Sequence, residues 1–431
     1  LYSGFGNGYG DGAPRWATIT DGAPYHHPVF VWAESYFVSK AVANAFDNFW
    51  LNTVVDGVGI QDSFASCWAH IASKLGDKPA LFGYDILNEP FGGSSGKKIF
   101  KKLVNKAIRV IAVDRKFHRC RMISGILSKK RRALMFDVFS RDILCKIIAP
   151  TNELMIEFDR TYYNPFLERV SSAIRAVTDK GIITIDNNYF SNLGIPCGAS
   201  RINVDGLDEP LQCFAPHGYD FMIDTDEYNY ASNDRITVIF DEHARTGERL
   251  NIPILVGEWG GNCKVGNLWH EHIKYLYNYF SEKNWSEIYW SFNLLLYDDD
   301  NGYLFSRAYT SRIKGEIIRQ HYDYTCLTYH LECDIVAEDA DNLIIYLPHR
   351  PQTLPYGESC VIAQLHTSDD IAEFARHNAA LVDYVKAQPY YNQPPIIHGA
   401  YANLDFENAS VVSYSLPIGH YVIDIAFDNK K

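Results

Sequence analysis

Two glutamates stand in settings that suit paired-carboxylate chemistry. Glu89 follows the apolar run Ala80-Leu-Phe-Gly-Tyr-Asp-Ile-Leu87 within Asn88-Glu89-Pro90, and Glu258 follows Ile252 to Val256 within Gly257-Glu258-Trp259-Gly260. Cleaving a glycosidic bond with retention of configuration needs two carboxyl groups about 5–5.5 Å apart, one on each side of the anomeric carbon. One must carry a proton for the leaving oxygen, and the other must be ionised to attack. In a barrel of parallel strands, such groups come from strand ends distant in sequence and adjacent across the rim. A lone glutamate at a strand end is as readily a surface ion pair, so the pairing matters more than either residue.

The elements that would position this pair recur from about residue 80 to 295. Apolar runs at 80–87, 181–185, 213–215, 252–256 and 288–292 alternate with helix-like segments such as Asn164 to Val177 and Leu268 to Phe280. Strand then helix, repeated, means parallel strands with crossover helices. Polar residues gather at the C-terminal end of each run, where a (β/α)8 TIM barrel keeps its active site. A doubly wound sheet would alternate in the same way, but no glycine-rich phosphate loop joins a strand to a helix here. Five strands are visible and a barrel needs eight. The first 79 residues hold a glycine-rich stretch (Ser3 to Gly12) and helical patterns at Lys40 to Trp50 and Ile60 to Leu75. About three N-terminal strand–helix units, at roughly 30 residues each, are expected to be missing from this chain. Beyond about residue 318 the pattern turns to alternation rich in β-branched and aromatic residues, as in Tyr324 to Val336, interrupted by one helical pattern at Asp370 to Val385. The expected organisation is a barrel over 1–317, with an atypical basic segment at 97–150, and a C-terminal β-sandwich over 318–431.

Four motifs, in order, resemble the cellulase-like glycoside hydrolase family 5. Tyr84-Asp-Ile-Leu-Asn-Glu-Pro90 resembles its fourth-strand signature, and Ala215-Pro-His217-Gly-Tyr219-Asp220 its sixth-strand His-x-Tyr. Leu255-Val-Gly-Glu-Trp-Gly-Gly261 resembles its seventh-strand motif, and Tyr289-Trp290-Ser-Phe-Asn293 its eighth-strand Trp motif. The run Asn-Glu-Pro-Phe-Gly-Gly93, the Gln61-Asp62 before a helix and the C-terminal sandwich are similar to the endoglycoceramidase branch, which releases a whole glycan from ceramide. The similarity covers about residues 1–95 and 155–315 well, and the C-terminal domain loosely. The resemblance implies Glu89 as general acid/base and Glu258 as nucleophile. It implies Asn88 on the sugar 2-hydroxyl, and Tyr219 donating to Glu258. It also implies His217 positioning a hydroxyl or the acid/base, and Trp290 flooring the subsite at the cleaved bond. It implies neither metal nor cofactor. The family's early-strand Arg and third-strand His have no counterpart, because Leu1-Tyr2-Ser3 resembles the residues just after that third strand. Rival readings are a glucosylceramidase or steryl glucosidase, a β-glucanase, or a truncated, non-catalytic glycolipid-binding protein.

Composition narrows the setting. The 431 residues are 47% hydrophobic, with 14% aromatic residues of the kind that stack on sugars. No apolar run approaches the ~18–20 residues of a membrane span. The formal charge of −12 hides about sixteen Lys and Arg against about three acids between Lys97 and Lys146. Because apolar residues interleave these cations, the stretch reads as an inserted or aberrant segment. A solvated helical insertion and an anionic-partner patch are the alternatives, and no nucleic-acid partner is expected. The expected partner is a glycolipid or β-linked glycan, with peripheral contact to a membrane or micelle surface, and the chain is expected to be monomeric. The nine cysteines show no zinc spacing, and Cys326 and Cys333 could pair with each other or with Cys360. Sequons at Asn284 and Asn408 suit a secreted or lysosomal protein. His270 and His272 cannot share a helical face, and the acidic run Asp298 to Gly302 lacks calcium-loop spacing.

Overall fold

A computed structural model describes residues 13–28, 33–113, 140–223, 231–261, 267–291, 304–347, 361–364 and 411–426. The glycine-rich stretch 3–12, Asn293, the acidic run 298–302, Cys360, the helix expected at 370–385 and the sequon at Asn408 lie outside these residues. The chain divides into two compact units, Leu1–Trp269 with Ser286–Ser291, and His270–Trp285 with Phe292–Lys431.

In the first unit the parallel strands are β1 (Gly83–Asp85), β2 (Ile182–Ile185), β3 (Gln212–Phe214), β4 (His217–Gly218), β5 (Leu255–Trp259) and β6 (Ser286–Tyr289). β1, β2 and β3 pair in sequence order, as do β4, β5 and β6, and a parallel bridge from Phe214 to Ile254 joins the two sets. β3 and β4 are one strand in effect. Pro216 interrupts it because proline has no N–H for the ladder, yet its carbonyl still accepts Gly257 N–H at 2.9 Å. Among the described residues these make the five successive parallel strands expected from the sequence. β5 starts later than the apolar run suggested and extends through Glu258; just before it the Pro253 carbonyl accepts the Phe214 N–H at 2.9 Å and Ile254 bridges Phe214.

Helices α1 (Lys40–Trp50), α2 (Ile60–Leu75), α3 (Gly93–Val113), α4 (Arg141–Ile148), α5 (Asn164–Arg175), α6 (Asn233–Leu250) and α7 (Asn267–Glu282) complete the main elements. Ser39 caps α1 by accepting Val42 N–H, Ser232 caps α6 by accepting Arg235 N–H, and Pro165 of α5 follows directly on the π-helical turn Asp159–Tyr163. Tyr84, Ile86, Ile183, Ile185 and Phe214 are buried in one core with Phe166, Val170 and Ile174 of α5. The ends of the basic segment belong to the same core. Ile99 and Leu103 of α3 and Ile143, Leu144, Ile147 and Ile148 of α4 are buried in it, while Lys98, Lys101, Lys102 and Arg109 stay exposed. Residues 114–139 lie outside the described residues.

Asp220, two residues beyond β4, is fully buried and grips Arg235 of α6 with two bonds of 2.9 and 3.0 Å. It also accepts N–H bonds from Met222 and Ser232. Removing one member of such a pair strands the other charge in the interior, at a cost of about 3–5 kcal/mol. Asp220→Ala should therefore lower the urea midpoint of the first unit, followed by tryptophan fluorescence; an unchanged midpoint would show that the ion pair does not tie α6 to the strand.

The second unit carries two antiparallel sheets. β7 (Tyr309–Ile313), β10 (Leu343–Tyr346) and β12 (Val411–Tyr414) form one, and β8 (Gly315–Asp323), β9 (Thr328–Ile335), β13 (Gly419–Ala426) and β11 (Val361–Gln364) form the other. Their core contains Tyr329, Leu331 and Ile335 together with Leu343, Ile345 and Tyr414. The strand expected at 324–336 is instead half of a hairpin. Asp323 Oδ1 accepts the N–H groups of Thr325 and Cys326 at 2.6 and 2.9 Å, which turns the chain before β9. β8 escapes detection because Glu316, Arg319 and His321 break its apolar alternation. Cys326 and Cys333 do not pair: both are free thiols, the first exposed at the turn and the second buried.

Candidate active site

The strand register sets the site. Parallel pairing places His217 of β4 directly beside Glu258 of β5. Gly257 makes this closeness tolerable, since a Cβ there would lie 3.0 Å from Ala215 O and 3.1 Å from the His217 ring. Glu89 arrives from beyond β1 with a left-handed backbone, φ +43°. That strained turn is held by its own N–H, which donates to Asp186 Oδ2 at 2.6 Å. Two residues later the buried Phe91 stacks on Tyr36 (4.9 Å between ring centroids), and its carbonyl accepts Trp50 Nε1–H at 2.8 Å. Gly93 then starts α3 with φ +57°, where a side chain would strike Asp47. Each side of Glu89 is thus anchored before the side chain is considered.

One oxygen of Glu89, one of Glu258 and one His217 ring nitrogen all lie within 4.8 Å of one another. His217 Nδ1 is 3.1 Å from Glu89 Oε1 and 3.6 Å from Glu258 Oε2. Tyr219 donates its hydroxyl to Glu258 Oε2 at 3.0 Å. On the far side of the ring, His217 Nε2 is 3.6 Å from Asp186 Oδ2. Burial works against a charge on His217, but Asp186, Glu89 and Glu258 outweigh it and lift the imidazolium to about 9. Burial pushes Asp186 itself well above the usual carboxylate range, opposed by His217 and by the Glu89 N–H, and its other oxygen accepts the Asn187 N–H. His243 behind is held neutral, since burial drives it down to about 3 while its Nε2–H donates to the His217 carbonyl.

Burial raises Glu258 above the usual carboxylate range, helped by Glu89 and opposed by His217 and the Tyr219 hydroxyl. A nucleophile works only when ionised, so this shift moves the acidic limb of activity upward in pH. Deleting the Tyr219 hydroxyl removes an influence that lowers Glu258. Tyr219→Phe should push the acidic limb of kcat/KM further up and cut activity below that limb about 10-fold, the worth of one charge-assisted hydrogen bond. A pH–rate profile superimposable on the wild type would contradict this.

Of the six residues singled out from the sequence, Glu89, Glu258, His217 and Tyr219 converge. Asn88 is exposed beside Glu89 and makes no hydrogen bond with the described residues. Trp290 follows β6 and is 60% exposed, its backbone N–H donating to Trp259 O at 2.8 Å. Sequence reasoning passed over Asp186, Asn187 and Asn192. Asp186-Asn187 directly follows the apolar run of β2, so the polar residues at that strand end were a usable signal. Asn192, which donates to Glu89 Oε1 at 2.6 Å, carried none.

Fold and site together place a carboxylate pair at the ends of parallel strands joined by helices. Residues 150–294 match the family model for Cellulase (glycosyl hydrolase family 5). Among curated proteins the likeness is to endoglycoceramidases. A stretch of 105 residues is 32% identical to Endoglycoceramidase of Hydra vulgaris, covering 20% of this chain and 19% of that one. A stretch of 62 residues is 39% identical to Endoglycoceramidase of Cyanea nozakii, covering 14% and 11%. These matches thus span about a fifth or less of the length of those relatives. Endo-glycoceramidase II from Rhodococcus sp. shares the fold, with a TM-score of 0.59 at 18% identity over 97% of this chain and 76% of that one.

Proposed function

We propose that the chain is the greater part of a retaining β-glycosidase that separates a glycan from ceramide in glycosphingolipids, with Glu89 as acid/base and Glu258 as nucleophile. The observation that carries this is the meeting of the two carboxylates, brought from the separate strands β1 and β5, with His217 between them, within 4.8 Å. That closeness suits direct attack; an inverting pair needs room for a water, at about 6.5–9.5 Å. The ceramide-linked substrate rests on the likeness to the two curated endoglycoceramidases. In the double displacement Glu258 attacks the anomeric carbon while Glu89 protonates the departing oxygen; Glu89 then deprotonates the water that releases the glycan. Trp290, exposed at the end of β6, supplies a stacking face, and Asn88, exposed beside Glu89, a donor for the sugar 2-hydroxyl. β1 and β6 each pair with one neighbour among the described residues, which fits a barrel whose remaining strands lie outside the described residues. The two antiparallel sheets of the second unit fit a β-sandwich.

Mass spectrometry of products after incubation with a ganglioside in detergent tests the function. Intact oligosaccharide plus ceramide is expected. Release of single sugars from the non-reducing end, or a free β-glucan cut in preference to the ganglioside, would overturn the substrate assignment.

A further inference from the structure

The amide of Asn192 meets the acid/base at one oxygen only, and backbone groups fix its direction. Asn187 Oδ1 accepts the backbone N–H of His217 at 2.6 Å, and Asn187 Nδ2 donates to the backbone carbonyl of Asn188 at 2.9 Å. A backbone N–H can only donate and a carbonyl can only accept, so the Asn187 amide has one orientation. Its Nδ2 therefore also donates to Asn192 Oδ1, 2.6 Å away. Asn192 must then turn its own Nδ2–H to Glu89 Oε1, at 2.6 Å. His217 Nδ1 faces the same oxygen at 3.1 Å. Glu89 Oε2 makes no hydrogen bond with the described residues and is not sealed from solvent.

We propose that Asn192 is a positioning residue for acid catalysis: by filling Glu89 Oε1 with a donor whose direction is fixed, it leaves Oε2 as the oxygen that carries the proton. This rests on the glycosidase reading above. In the step concerned, a Glu258 oxygen bonds to the anomeric carbon as the glycosidic C–O bond breaks. The electron pair stays on the leaving oxygen, which takes the proton from Glu89 Oε2. Without Asn192 only the longer contact from His217 Nδ1, at 3.1 Å, remains on Oε1, so the proton can occupy the wrong oxygen and an alkoxide-like leaving group departs without help.

The test compares kcat/KM for a ganglioside and for a 2,4-dinitrophenyl β-glycoside, whose phenolate leaves unprotonated. Both Asn192→Ala and Asn192→Asp, which keeps the acceptor for Asn187 but loses the donor, should lose about 10-fold or more on the ganglioside and less than about 3-fold on the activated substrate. Equal losses on both substrates, or none on either, would overturn the role of Asn192 while leaving the glycosidase intact. A wild-type protein that cleaves neither substrate would overturn the glycosidase itself, and this role with it.

Discussion

Glu258→Gln should abolish turnover of every glycoside the protein cleaves, with kcat/KM falling on the order of 10^4- to 10^6-fold, the scale seen when a covalent nucleophile is removed. The amide is nearly the same size as the carboxylate, and it can still accept from Tyr219, whose hydroxyl lies 3.0 Å from Oε2. What it lacks is the charge that attacks the anomeric carbon. The variant should therefore fold and bind as before while the chemical step stops. A 2-fluoro glycoside, which slows release of the glycosyl-enzyme, supplies the positive counterpart. It should add one sugar to the wild-type protein on the peptide containing Glu258 and leave the variant unlabelled. Labelling of the variant, or of another residue, would remove Glu258 from the nucleophile's role.

Glu89→Gln should give a loss that depends on the leaving group. With a ganglioside, whose ceramide alkoxide needs a proton, kcat/KM should drop about 10^2- to 10^4-fold, the usual contribution of a general acid. With a dinitrophenyl glycoside, kcat/KM should change little, because it reports only formation of the glycosyl-enzyme. That substrate should instead show a lower kcat, since hydrolysis of the intermediate still needs Glu89 as base. Added azide, a nucleophile that needs no base, should restore kcat and yield the glycosyl azide. The Gln side chain keeps its carbonyl oxygen for Asn192, 2.6 Å from the native Oε1, so altered packing offers no alternative source of the split. A uniform loss on both substrates would place Glu89 outside acid/base catalysis.

Several parts of this protein are local and were legible in the residues. The strands at 182–185 and 212–214 and the helices at 40–50 and 60–75 announce themselves through unbroken apolar runs or a 3.6-residue period. Glu89 and Glu258 were found because each stands at the end of such a run, and His217 and Tyr219 through the resemblance of Ala215 to Asp220 to a family 5 motif. Strand β8 was not legible, because its exposed face carries charge and its partner lies across a turn set by Asp323. The bounds of β5, Leu255–Trp259, differ from the apolar run 252–256 because the neighbouring strand, not apolar character, decides which residues enter the ladder.

Residue types and their order along the chain determined which side chains reach the strand ends, since a strand's direction and alternation are written in its own sequence. Only the tertiary structure decided their chemistry. The parallel register sets the His217 ring against Glu258, and Asp186, from a strand end about a hundred residues beyond Glu89, holds both the Glu89 backbone and the far side of that ring. Hydrogen bonds and pKa values depend on separations of a few ångströms between groups distant in the chain. No local pattern encodes such separations, so Asn192 became visible only when folding brought its amide to Glu89.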